Sequence, residues 1–196
     1  MKLKTMLIVA ALGLASWGAQ AQNGTPQREI MDDRWNVWLM GGGIFSDSSN
    51  LDKGYTGALH FTHPLADHFA FNGGLDYGSL GTSNAGKYNR ISARLGVELF
   101  PWSPYYDSSS SLQPFIGAGG HASSVSFIGE HRAAYGPYAD FGLQQRLGQS
   151  LWFRLQGSYQ QDYVQAKGIF PRDNFYTWQA LAAVGFSLGE KPYDHN

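Results

Sequence analysis

The sequence predicts an all-β chain: an eight-stranded antiparallel transmembrane up-and-down β-barrel. Three observations predict it. Segments of about ten residues alternate apolar and polar side chains with a period of two, as strands with one apolar and one polar face do. Turn-forming stretches separate the segments, and tight connections alternate with longer polar ones. Charged residues make up 15% of the chain, with 25 glycines and 15% aromatics, whereas ordinary soluble domains carry about 25% charged residues.

The N-terminus is read apart from the barrel. Lys2 and Lys4 form a basic start, residues 6–18 are an apolar run, and Ala19-Gln20-Ala21 is a small-x-small site. That order predicts a secretory signal peptide over 1–21, cut after Ala21. The apolar run is shorter than the roughly 20 residues of a spanning helix. A polar, flexible segment follows over 22–33, the barrel over 34–189 and a short tail over 190–196.

The strands are expected near 34–45, 54–63, 68–78, 88–100, 112–127, 133–147, 151–163 and 173–189. The first holds a Trp on each parity. In the second, Tyr55, Leu59 and Phe61 oppose Thr56 and His60. In the third, Phe69, Phe71, Leu75 and Tyr77 oppose Asn72 and Asp76. In the fourth, Ile91, Ala93, Leu95, Val97 and Leu99 oppose Arg90, Ser92, Arg94 and Glu98. The fifth is Gly-rich and its facing stays open. In the sixth, Phe141, Leu143 and Leu147 oppose Asp140, Gln144 and Arg146. In the seventh, Phe153, Leu155 and Tyr159 oppose Arg154, Gln156 and Ser158. The eighth sets Tyr176, Trp178, Ala180, Ala182, Val184, Phe186 and Leu188 against Thr177, Gln179, Gly185 and Ser187. Residues 63–68 and 147–150 are tight turns, and 101–111 is a longer one rich in Pro and Ser. The polar connections 46–53, 79–87, 128–132 and 164–174 lie at the other end.

A soluble β-sandwich alternates too, but it turns its polar face to water, and such faces are rich in Lys, Glu and Asp. Here the polar face is mostly Gly, Ala, Ser, Thr, Asn and Gln, which suits a narrow packed interior. Eight strands leave room for side chains alone. Aromatics gather at segment ends: Trp35, Phe61, Phe69, Trp102, Phe153 and Phe186 at the tight-turn end, and Tyr55, Tyr77, Tyr88, Tyr135, Tyr159, Tyr163 and Tyr176 at the other. Two aromatic girdles are expected where rings sit at both headgroup layers.

The charges Asp76, Arg90, Arg94, Glu98, Asp140, Arg146 and Arg154 fall on the polar face. An Arg turned to lipid at mid-membrane costs about 2–4 kcal/mol, so these groups are expected inside. A buried charge needs a partner, which makes an interior ion-pair network their expected role. Arg94 and Glu98 share a face about 13 Å apart along the strand, so they pair across strands rather than with each other. If Tyr88 stands opposite Gly78, Asp76 faces Arg90.

The opening WNVWLMGGGIF, the pair HFTHPLADHFAFNGGLDY, LQPFIGAGG, FGLQQRLGQSLWFRLQGSYQ and the closing ALAAVGFSLG resemble the OmpA-like family of eight-stranded outer-membrane barrels over about 34–189. The resemblance implies export to the cell outer membrane, termini in the periplasm, insertion by the barrel-assembly machinery, and contact with outer-membrane lipid and lipopolysaccharide. It implies a monomer with a structural or surface role, in envelope integrity or loop-mediated adhesion and host contact, with an extracellular ligand on the loops. The two-domain members' peptidoglycan-binding part has no counterpart in EKPYDHN. A small-solute pore is one rival.

The second rival is a lipid-modifying enzyme. LQPFIGAG and GQSLWFRLQGSY also resemble the lipid A deacylase family (PagL). That family's His-x-Ser would fall on QGSYQ, where Gly157 and Tyr159 stand instead. His121-Ala122-Ser123 has the spacing on another strand, with Glu130 near, and supplies the candidate catalytic set His121, Ser123 and Glu130. The expectation is nonetheless no enzyme, no cofactor and no nucleic-acid partner: net charge is −1, there is no Cys, and the six His show no metal-ligand spacing.

Overall fold

The structure, a computed structural model, describes residues 34–48, 51–82, 86–102, 112–127, 129–147, 150–164 and 174–189. The expected signal peptide 1–21, the segment 22–33 and the tail 190–196 lie outside the described residues. Among the described residues the regular structure is eight strands: β1 Trp35–Ser46, β2 Leu51–Ala66, β3 Phe69–Thr82, β4 Lys87–Leu99, β5 Gln113–Phe127, β6 Glu130–Arg146, β7 Leu151–Val164 and β8 Asn174–Leu188. Each pairs antiparallel with the next. β1 then pairs with β8 from Trp35↔Leu188 to Ser46↔Thr177, which closes the barrel. Closure leaves no sheet edge with unpaired backbone, the condition a sheet must meet in hydrocarbon.

Burial follows the period-two pattern. Adjacent residues on β7 make the point: Leu155 is 48% exposed and Arg154 0%. On β4, Leu95 is 60% exposed and Arg94 2%. From Tyr55 and Tyr77 at one end to Phe61 and Phe71 at the other, the outward positions carry no charged side chain among the described residues. A protein in water that turned its leucines out and its guanidinium groups in would forfeit the hydrophobic term that drives folding.

Several expectations change. β2, β3 and β6 run longer than the sequence suggested, because backbone pairing continues through polar segments, while β1 and β4 keep the expected length. β6 begins at Glu130, and Phe127 pairs with Glu130. The strands therefore take up residues 130–132 of the expected 128–132 connection, and Gly129 has φ 79°, a left-handed value that a side chain disfavours. β3 extends to Thr82, which confines the 79–87 connection to the residues between Thr82 and Lys87. Register also shifts: Gly78 pairs with Arg90 and Asp76 with Ser92, so Asp76 does not face Arg90. The open facing of the fifth strand resolves with Phe115, His121, Ser123 and Val125 inward and Ile116 outward.

Candidate functional site

The candidate site is the lumen, and it has three layers. The middle layer is ionic. Arg154, from β7, reaches across the barrel to Glu98 on β4: Nη1 donates to Oε2 at 3.1 Å and Nη2 to Oε1 at 2.5 Å. This two-pronged geometry suits the planar guanidinium. Arg154 Nε also donates to Gln156 Oε1 at 3.0 Å. Asn72 Nδ2 donates to Glu98 as well. Arg94 donates to Asp140, lies 3.9 Å from Asp76, and places its guanidinium carbon 3.7 Å from the Tyr138 ring centroid. Arg90 donates to Asp162 at 2.9 Å and to Thr177 at 3.0 Å. Two histidines complete the layer, His60 at 3.0 Å from Asp76 and His121 at 3.0 Å from Asp162. All these carboxylates and guanidiniums are buried. Burial removes their hydration, and cross-lumen pairing replaces it.

The outer layers hold packed apolar side chains, with Asn36, Thr62 and Gln113 among them at the tight-turn end. At the long-loop end Ile44, Leu80, Tyr88, Val125, Phe127 and Phe175 pack together inside the barrel, with Tyr88 edge-on to Phe175 at 5.4 Å. At the other end Trp38 meets Trp152 edge-on at 6.4 Å, and Phe100 lies 6.0 Å from Phe115. The two indoles are anchored: Trp38 Nε1–H donates to Thr62 Oγ1 at 3.1 Å, and Trp152 Nε1–H to Ser187 Oγ at 2.9 Å. Arg154 sits 3.7 Å from the Phe115 ring centroid, so the lower cap also faces the ion pairs with π surface.

The sequence-nominated residues are placed as follows. Asp76, Arg90, Arg94, Glu98, Asp140 and Arg154 meet in the middle layer. Arg146 does not: it stands half-buried at the tight-turn mouth, 5.7 Å from the Trp152 ring centroid. Trp35, Phe61, Phe69, Phe153 and Phe186 ring that mouth outside, and Trp102 lies just past β4 at 78% exposure. Tyr55, Tyr77, Tyr135, Tyr159, Tyr163 and Tyr176 ring the other end, paired as Tyr55–Tyr77, Tyr135–Tyr163 and Tyr159–Tyr176. Tyr88 is a correction. It points inward with Arg90, because an even position on this strand faces the lumen, and the lumen's end is itself apolar.

The candidate set His121, Ser123 and Glu130 is not brought together. His121 and Ser123 do share the inner face. But Ser123 Oγ donates to Ser92 Oγ at 2.8 Å, His121 takes Asp162, and Glu130 pairs with Arg132 at the rim at 3.1 Å. Nucleophile and base are not in contact with each other, as a triad requires. His60, Asn72, Tyr138 and Asp162 are members of the layer that the sequence reading left out. The parity that marks Arg154, Gln156 and Ser158 also marks Asp162, and that signal was sufficient to find it.

No protein-family profile and no curated protein matches this chain. Solved structures do. Neisserial surface protein A matches with a TM-score of 0.59 at 15% identity, over 79% of this chain and 97% of that one. The N-terminal β-barrel domain of Pseudomonas aeruginosa OprF matches at 0.46 and 14% identity, over 80% and 98%. The attachment invasion locus protein Ail of Yersinia pestis matches at 0.44 and 16%, over 81% and 100%. The first of these likenesses establishes the fold: this chain has the closed eight-stranded architecture of outer-membrane β-barrels.

Proposed function

We propose that this protein resides in the outer membrane as a sealed barrel whose role is structural and surface-displaying rather than conductive or catalytic. The observation that carries the reading is the layered lumen: an ionic middle in which each carboxylate and guanidinium has an ion-pair partner, closed at each end by packed aromatic and aliphatic side chains. A conduit needs a continuous polar path, and a packed apolar layer resists wetting. The uncharged outer band between aromatic rows supports insertion in lipid. The surface readings of adhesion or host contact then fall to the connections at the long-loop end, of which the one between Val164 and Asn174 is the longest.

Two arms test the proposal. Reconstituted protein in planar bilayers is expected to give no resolved conductance steps. A deletion strain is expected to gain sensitivity to large antibiotics and detergents, restored by the wild-type gene. Stepwise ion currents from the purified barrel would overturn the sealed reading. The hydrolase reading has less support, because Ser123 and His121 face the lumen while an acyl ester would lie outside the wall. An altered acyl pattern of lipid A between strains with and without the gene would revive it.

A further inference from the structure

The charged layer of the lumen does not balance on its carboxylates and guanidiniums alone. Among the described residues it holds four carboxylates, Asp76, Glu98, Asp140 and Asp162, against three guanidiniums, Arg90, Arg94 and Arg154, and every one is buried. Two guanidiniums each serve one carboxylate: Arg154 takes Glu98 and Arg90 takes Asp162. Arg94 is shared, since it donates to Asp140 and lies 3.9 Å from Asp76. One negative charge is therefore left over, and it falls on the Asp76–Asp140 side of the barrel. An uncompensated charge inside a protein is strongly destabilising, so a fourth cation belongs there.

Two histidines are placed alike and have different neighbours. His60 Nε2 lies 3.0 Å from Asp76 Oδ1, and His121 Nε2 lies 3.0 Å from Asp162 Oδ1. Both rings are buried, and neither Nδ1 has a hydrogen-bond partner among the described residues. The charges around them separate the two. His60, on β2, faces Asp76 on β3, which shares Arg94 on β4 with Asp140 on β6. Trp38, its partner on β1, brings no charge. Arg90 also acts on Asp76 but is matched by Asp162. His60 thus stands among two carboxylates and one guanidinium. His121, on β5, faces Asp162 on β7, which already holds Arg90 on β4. Arg94 is its register partner on β4, the Tyr88 phenol lies near Asp162, and Gly136 on β6 brings no charge. A proton added to His121 would have no surplus carboxylate to meet.

We propose that His60 is the fourth cation of the lumen, an imidazolium protonated on both ring nitrogens, and that His121 is a neutral imidazole donating one hydrogen bond to Asp162. The proton is assigned to the ring rather than to Asp76 because imidazole is the stronger base of the two. With His60 counted, positive and negative charges in the layer are equal in number. Removing that proton leaves one carboxylate unbalanced inside a closed wall. A bound proton, and not packing alone, thus locks this part of the lumen. The proposal rests on the sealed lumen argued above, since an open, wet lumen would screen the charge with salt.

The test is a set of variants of the full mature protein refolded in lipid vesicles, read by urea unfolding. His60→Gln keeps a hydrogen-bond donor and removes the charge. It is expected to lower the folding equilibrium constant at least about 100-fold more than His121→Gln does, as an uncompensated buried carboxylate should. Asp76→Asn added to His60→Gln removes the surplus charge and is expected to recover most of that loss. Asp162→Asn added to His121→Gln should recover nothing, because it strands Arg90. If His60→Gln does not fold, nitrogen-15 NMR of labelled histidine in the wild type decides: the His60 ring is expected to show two protonated nitrogens and the His121 ring one. Equal losses in the two glutamine variants, no recovery on adding Asp76→Asn, or a single protonated nitrogen on His60 overturns the proposal. Stepwise currents from the wild-type barrel would instead overturn the sealed reading on which the charge count relies.

Discussion

The middle of the lumen and its ends use the same inward positions for opposite materials. On β4, Tyr88 at the top is packed against Phe175, while Arg90, Arg94 and Glu98 below it are held in ion pairs. On β7, Trp152 at the bottom meets Trp38 edge-on, and Arg154 one step up binds Glu98. The difference teaches what each layer supplies. Apolar ends exclude water by burial, which is non-directional and tolerant of small changes. The middle is directional, because each charge has lost its hydration and depends on a particular partner across the barrel. Damage to the middle should therefore cost more, and in a more partner-specific way, than a trimmed cap.

The largest effect is expected from Arg154→Ala, which strands Glu98 in the lumen and should cost about 3–5 kcal/mol. Urea unfolding in detergent or lipid vesicles measures it. The Glu98→Ala, Arg154→Ala double variant should lose less than the sum of the two singles, because no unpaired charge remains. Leu155→Arg comes next. It sits beside Arg154 in sequence but on the outer face, and at mid-membrane should cost about 2–4 kcal/mol. If Leu155→Arg instead left stability unchanged in lipid, the contrast between the two faces would fail. In the upper cap, Ile44→Val should cost about 0.5–1.5 kcal/mol, as removal of one buried methylene does. A loss as large as that of Arg154→Ala would mean the cap, not the ion pairs, is the specific layer. Lys87→Gln, exposed at the rim, should change stability by no more than about 0.5 kcal/mol.

The fold was legible wherever one strand carried its own period-two record. Leu95 and Arg94, or Phe153 and Arg154, announce their opposite faces without any partner. The glycine-rich fifth strand did not, because Gly117, Gly119 and Gly120 carry no side chain to show a parity. Close packing explains one of them: a Cβ at Gly119, or at its cross-strand partner Gly96 on β4, would collide with Tyr138 Oη, a contact between strands that sequence order does not display. Tyr88 was misjudged by position, since an aromatic at a strand end suits a girdle and a cap equally, and parity alone separates them. The pairs themselves were the least legible part. Arg90 and Asp162 stand 72 residues apart, and Arg154 and Glu98 stand 56 apart. Such pairings depend on barrel diameter and on register across several hairpins, which a turn one residue longer or shorter would reset.

The most direct test of the two-faced wall is a spin-label scan along β7 in lipid vesicles. The chain has no native Cys, so single cysteines at positions 152–160 can be labelled one at a time and their collisions with oxygen and with a water-soluble nickel complex compared. The account predicts oxygen access, characteristic of hydrocarbon, at 153 and 155, and little access to either reagent at 154, 156 and 158. Nickel access at 154 and 156, with 153 and 155 shielded from both reagents, would contradict it.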